Sequence, residues 1–141
     1  FFALAPPKST GRDLFNREWL DAHLARAATR DRLRDQDIQA TLSELTARTA
    51  ADACRAHAGD GAELIVCGGG ARNADLMARL RRQVDPMRVV ESGDRGVPAD
   101  QVEAAAFAWL AHRFIKRLPG NLPAVTGAAG PRVLGALYPA G

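Results

Sequence analysis

Three consecutive glycines, Gly68, Gly69 and Gly70, follow the apolar run Leu64-Ile65-Val66-Cys67 and precede Asn73 in the stretch LIVCGGGARN. Glycine has no Cβ and adopts positive φ at little cost, so a glycine run lets a ligand approach bare backbone. Four apolar residues without polar alternation suit a strand covered on both faces in a parallel sheet, and Asn73 suits the N-cap of a following helix. A strand end and a helix start together offer unpaired N–H groups and partial positive charge to a phosphate, a ribose or a heterocycle edge. The pattern is specific to position, not to ligand. Glycines that only turn a tight corner, with Asn73 as cap, are the alternative.

A Walker loop is excluded, because it needs a Lys-Ser/Thr pair to grip phosphate and magnesium, and here the chain continues Ala71-Arg72-Asn73. A dinucleotide-binding half of an oxidoreductase is a nearer alternative. Gly68 and Gly70 match the first two glycines of its fingerprint and Glu91 lies where a ribose-binding acid belongs, but Asn73 takes the place of the third glycine. Glu103 is the other candidate. It stands at i with Phe107, Leu110 and Phe114 at i+4, i+7 and i+11, so it heads an apolar helical stripe and could face a cleft to bind a hydroxyl or a sugar amide. The same residue completes Asp100-x-x-Glu103, a capping-box pattern that needs no ligand.

The remaining polar residues point to less. His23, His57 and His112 are isolated on helical segments, Trp109 reads as core, and Asp94 and Asp100 read as loop and cap residues without a partner for general-base work. Lys8, Ser9 and Thr10 read as a solvated turn. Cys54 and Cys67 lack metal-like spacing, so reduced thiols and no metal site are expected.

The elements that must position the glycines follow from hydrophobic period. Asn16 caps a helix expected over about 17 to 29, with Phe15 and Leu20 as a staple across its start. Ile38, Leu42, Leu45, Thr49, Ala53 and Ala56 form the stripe of a long second helix that the glycines at 59 and 61 stop. The strand at 64 to 67 follows. Leu76, Met77, Leu80 and Val84 then mark one face of a helix, and residues 88 to 91 a short strand. A last helix begins near Asp100, and its AAAFAWLA at 104 to 111, apolar nearly all round, calls for burial. Pro6 and Pro7 hold the opening stub extended, and beyond Leu118 glycine and proline recur too often for a helix. Alternating helices and strands imply an α/β layer with right-handed crossovers. Two strands are few for a sheet, so the stub and tail are expected to add strands, or others to lie upstream.

Composition narrows the class. At 141 residues, 47% apolar and 25% charged, the chain has room for one globular domain and no apolar run near the ~18 residues that cross a bilayer. Nineteen basic against sixteen acidic residues leave +3, with Arg79, Arg81 and Arg82 spread along a helix without interleaved aromatics, so a solvated basic face is expected and nucleic acid is not. FFALAPPKSTGRD lacks the basic start and apolar centre of a signal peptide, and an opening without methionine reads as cut from something longer.

Four blocks carry a family resemblance: FFALAPPKSTGRDLFNREWL at 1–20, LIVCGGGARNADLMARL at 64–80, VEAAAFAWLA at 102–111 and LPGNLPAVTGAAGPRVLGALYP at 118–139. In this order the chain resembles the carboxyl-terminal part of the bacterial anhydro-N-acetylmuramic acid kinases. The resemblance implies a ribonuclease H-like, actin-like ATPase lobe, a three-layer α/β/α arrangement that is partial here, with ATP bound between two lobes. It divides the chain into a helical part at 1–60, a nucleotide-side part at 61–118 and a packed tail at 119–141. It assigns Gly68, Gly69, Gly70 and Asn73 to the adenosine and Glu103 to the sugar. The catalytic base and most contacts to ATP and Mg2+ are expected in the amino-terminal lobe, so no catalytic residue is expected in this chain. The implied partners are the anhydro sugar, that other lobe and a second copy in a homodimer, and the implied location is the cytoplasm.

Overall fold

The computed structural model describes residues 1–5, 7–8, 10–27, 32–59 and 61–139. Expectations that fall on Pro6, Ser9, Ala28, Thr29, Asp60 and the last two residues lie outside the described residues. In chain order the elements are α1 (Arg17–Arg26), α2 (Asp35–His57), β1 (Glu63–Val66), α3 (Ala74–Val84), β2 (Arg88–Glu91), α4 (Val102–Ile115) and the single turn α5 (Pro123–Thr126). Among the described residues the protein is therefore mixed α/β, with a parallel two-stranded sheet. Among the described residues neither the stub nor the tail adds a strand, and no helix is long and apolar enough to cross a membrane. The chain divides into two compact units, residues 34–107 and residues 1–33 with 108–141.

In the unit of residues 34–107, β1 and β2 pair in register from Glu63↔Arg88 to Val66↔Glu91. Parallel neighbours need a crossover, and α3 supplies it. The expected stripe of α3 is its buried face: Met77, Leu80 and Val84 are buried, and Met77 and Leu80 form a core with Ala47 of α2. Leu64, Val66 and Val89 pack against that core, so one face of the sheet is covered. The opposite face carries Ile65, which is 49% exposed, so β1 is not covered on both sides as its apolar run suggests. The strand also starts and ends one residue earlier than expected, since Cys67 already caps the turn beyond it.

Helix α2 buries a different stripe from the one its larger apolar residues trace. Ala47 and Ala51 are fully buried, whereas Ile38, Leu42, Leu45 and Thr49 are half-buried and Ala53 and Ala56 exposed. Ions along the same seam explain the choice. Arg79 of α3 bonds Glu44 of α2 at 2.6 Å and Asp75 at 2.7 Å, Ser43 Oγ donates to Asp75 at 2.8 Å, and Gln83 Nε2 donates to Glu44. These long side chains reach across only where small residues let the helices approach. Arg79 is thus 19% exposed in its side chain and belongs to the interhelical seam, not to a solvated basic face. The helix ends at His57 with Ala58 extended, before either glycine.

In the unit of residues 1–33 and 108–141, Asn16 caps α1 as its position suggests, its Oδ1 accepting from Trp19 N–H at 2.8 Å. Phe15 stands edge-on to Trp19 at 5.2 Å and stacks on Phe2 at 5.4 Å. The helix stops at Arg26, short of 29, because Ala27 is extended. Lys8 Nζ donates to the Phe2 carbonyl at 3.1 Å. The tail packs on the end of α4 through small residues: a Cβ on Gly120 would sit 3.0 Å from Leu110, and one on Gly135 would sit 3.4 Å from Phe114. Asn121 fastens it, donating to Gly130 O at 3.1 Å while its Oδ1 accepts from Arg132 N–H at 2.6 Å. One helical turn, α5, interrupts a tail expected to lack helix, with Pro123 at its first position where no N–H is needed.

The largest departure is α4. Its apolar sequence calls for burial, yet none of its residues is buried, and Phe107, Trp109 and Ile115 are 64%, 52% and 75% exposed. Trp109 is not core; the Arg113 guanidinium lies over its ring at 5.1 Å. Periodicity reports that a helix needs cover on all sides, not which chain segment supplies it.

Two outcomes follow from this packing. Leu80→Ala is expected to lower unfolding free energy by about 2–5 kcal/mol, the usual cost of truncating a buried leucine, read by denaturant titration against the exposed control Ala53→Ser. The carboxyls of Glu44 and Asp75 beside Arg79, and of Glu63 beside Arg95, are held below their ordinary range by those hydrogen bonds. A depressed folded-state pKa stabilises fully above the unfolded value and is lost as pH falls through the folded one. Melting temperature should therefore drop as pH falls below about 4, and Glu44→Gln and Glu63→Gln should each flatten that drop, converging on the parent in acid.

Candidate functional site

Because the two strands run parallel and in register, their carboxyl ends stand side by side, Val66 beside Glu91. Beyond β1 the extended Cys67 leads into a 3-10 turn, Gly68–Arg72, so the glycines themselves are helical in a short, tight sense and α3 begins only after Asn73. The three glycines differ in their surroundings. Gly68 has φ +67, a conformation that disfavours any side chain. Gly69 faces open space, with nothing within 4 Å of where a Cβ would lie. Gly70 packs, its would-be Cβ meeting Leu76 Cδ2 at 3.4 Å.

The first amides of such a turn have no partner within it. Gly68 N–H is taken by Ala99 O at 2.8 Å. Gly69 donates to no carbonyl among the described residues. Ala71 is buried and seats the turn, and Arg72 Nη2 donates to Asp100 Oδ2 at 2.8 Å. Asn73 closes the turn and opens the next helix: its N–H donates to Gly70 O at 3.1 Å, and its Oδ1 accepts from Leu76 N–H at 3.1 Å. The cap uses the oxygen only. Among the described residues its Nδ2 has no acceptor, so capping and ligand contact are compatible roles for one side chain.

After β2 the chain makes a second 3-10 turn, Ser92–Arg95, closed by Gly96 at φ +89. Glu91 caps this turn and its N–H donates to Asp94 Oδ2 at 3.3 Å. Ser92 is buried with its Oγ unpaired among the described residues. Arg95 grips both oxygens of Glu63, which Arg88 also approaches at 3.3 Å, tying the second turn back to the start of β1. From Gly96 the chain passes through Ala99 and Asp100, the two residues that hold the glycine turn, into α4.

Glu103 stands on the first turn of α4, exposed and without a hydrogen-bond partner among the described residues. The expected capping box is not formed. The helix starts at Val102, and Gln101 O accepts from Ala105 N–H at 2.9 Å, so Gln101 holds the cap position and the Asp100 carboxylate is engaged by Arg72 instead. Gly68, Gly69, Gly70 and Asn73 thus lie on one turn between β1 and α3. Glu103 is joined to it through the backbone of residues 99–102, not by a side-chain contact.

The Arg72–Asp100 pair escapes sequence reasoning because its members lie 28 positions apart with no periodic relation. Ser92 gives no signal either, as one hydroxyl in a polar loop. Among the described residues no group of three or more His, Cys, Asp or Glu side chains gathers to hold a metal. A groove of about 410 Å³ lined by Ala40, Thr41, Glu44, Leu45, Arg48 and Arg79 shares no residue with the glycine turn.

Comparison with known proteins matches residues 1–140 to the family model described as anhydro-N-acetylmuramic acid kinase. A protein of that name from Ralstonia nicotianae is 59% identical over 140 residues, covering 99% of this chain and 36% of that protein. Its namesakes from Cupriavidus pinatubonensis and Pseudomonas paraeruginosa are 56% and 53% identical, each again covering 99% of this chain and 37% and 38% of their own length. The chain thus spans little more than a third of the curated relatives it matches, but it is matched almost from end to end, and it belongs to the anhydro-N-acetylmuramic acid kinase family.

Proposed function

We propose that this chain forms the second, adenosine-side lobe of an ATP-dependent sugar kinase that opens and phosphorylates 1,6-anhydro-N-acetylmuramic acid in peptidoglycan recycling. The observation that carries the reading is the glycine turn at the paired carboxyl ends of β1 and β2, the edge at which open α/β sheets bind ligands. Gly69 has both the free space and the free N–H group that a flat base or ribose would use. Asn73 Nδ2 adds a donor at the end of the same turn. The mixed α/β content and parallel sheet fit a ribonuclease H-like, actin-like lobe. Family membership replaces the dinucleotide-enzyme alternative, and Glu91 is accounted for as the cap of the second turn.

In this reading water adds at C1 of the anhydro sugar as the C1–O6 bond breaks, and O6 takes the γ-phosphoryl group of ATP with ADP leaving. The base for water and the acid for O6 belong to the other lobe. Mg2+ is assigned to that lobe with the triphosphate, and no step of this chain runs through it. The residues here hold adenosine at 68–73 and orient sugar or water with the Glu103 carboxylate. The exposed apolar side chains of α4 find cover in the complete kinase, from its remaining polypeptide or from a second copy in a homodimer.

Gly69→Ala tests the site, because a methyl there meets nothing in the chain and the backbone needs no positive φ. In the complete kinase it should leave melting temperature unchanged and weaken ATP binding by about tenfold, roughly 1.4 kcal/mol, in calorimetry. Unaltered ATP affinity, or affinity for NAD in place of ATP, would overturn the assignment. The isolated 141-residue chain should give no turnover with Mg-ATP and anhydro sugar, measured by ADP release; turnover near that of the complete kinase would show that it holds its own base.

A further inference from the structure

We propose that Arg72 and Asp100 are a positioning pair for the nucleotide, clamping the far end of the glycine turn so that Gly69 and Gly70 are presented in one conformation. The proposal rests on reading the turn as half of an adenosine site. Two ties join the turn to one dipeptide: Gly68 N–H to Ala99 O at the first residue, and Arg72 Nη2 to Asp100 Oδ2 at the last, each 2.8 Å. Between them lie Gly69 and Gly70, with open space and an unpartnered N–H at Gly69. Glycine backbone has more freedom to lose than any other, so this is the segment where an external tie alters conformation most.

The location of the pair separates positioning from stability. The Arg72 and Asp100 side chains are 70% and 60% exposed, and pairs so exposed contribute little to global folding. Ala71, buried between the ties, keeps the turn seated in either case. What the pair adds is order at its open end, which a ligand would otherwise have to impose at a cost in affinity. Asp100 also lies three residues before Glu103, so the clamp joins the adenosine surface to the first turn of α4.

The experiment is a charge-swap cycle in the complete kinase. Arg72→Ala and Asp100→Ala should each raise KM for ATP by about three- to tenfold, the range for losing a preorganising contact. The accompanying change in kcat should stay under about twofold and the shift in melting temperature under about 2 °C. The double variant Arg72→Asp/Asp100→Arg should return KM for ATP towards the parent value, because each residue acts through the other. Wild-type KM in both single variants would overturn the proposal, as would a swap no better than the worse single variant. Gly69→Ala keeps this failure separate from failure of the site: if it weakens ATP binding while the pair can be removed without effect, only the clamp is lost.

Discussion

The parallel register of β1 and β2 is the constraint on which the rest depends. Pairing Val66 with Glu91 sets both carboxyl ends on one edge, and a parallel pair obliges the chain to cross back over the sheet. That crossover is α3, held by Met77 and Leu80 against Ala47 and the apolar face of the sheet. With the strands and the crossover fixed, the six residues from Cys67 to Arg72 have little choice of path. They fold as a tight turn at the strand end, and the return segment of residues 97–100 closes over it. A slip of one residue in β1 would move Leu64 and Val66 off the core face together.

Charge organises what apolar burial leaves underdetermined. Arg79 and Arg95 each bring a guanidinium to carboxylates on a different element, and each pins a junction: α3 to α2 in the first case, the second turn to the start of β1 in the second. Arginine suits both places because its planar fork spans two acceptors at once, which lysine cannot do. These contacts are partly solvated, so their weight lies in geometry more than in energy.

Much of the arrangement is legible from residue order, for reasons that are local. Asn16 and Asn73 cap because a short polar side chain before an apolar run has few other uses, and residues 76, 77, 80 and 84 face one way because helical spacing makes them. What escapes is non-local. The buried stripe of α2 runs through Ala47 and Ala51, since interhelical approach favours small residues that an apolar count undervalues. The Asp100 carboxylate goes to Arg72 because a charged partner outcompetes a capping role one residue out of place. For α4 the pattern states a need for cover, and the exposed Phe107 and Trp109 show that a need is not a location.

Asn73 ends one helical turn with its N–H and begins the next helix with its side chain, and this double duty constrains length as well as composition. In a 3-10 turn of about three residues per revolution, one inserted or deleted residue rotates everything beyond it by roughly 120°. Such a change between Cys67 and Asn73 would swing the cap away from Leu76 N–H and Arg72 away from Asp100 in a single step. The loop is therefore gauged. Side chains along it can be exchanged one at a time with separable effects, but its residue count admits no drift, unlike most surface connections, where insertions are readily absorbed.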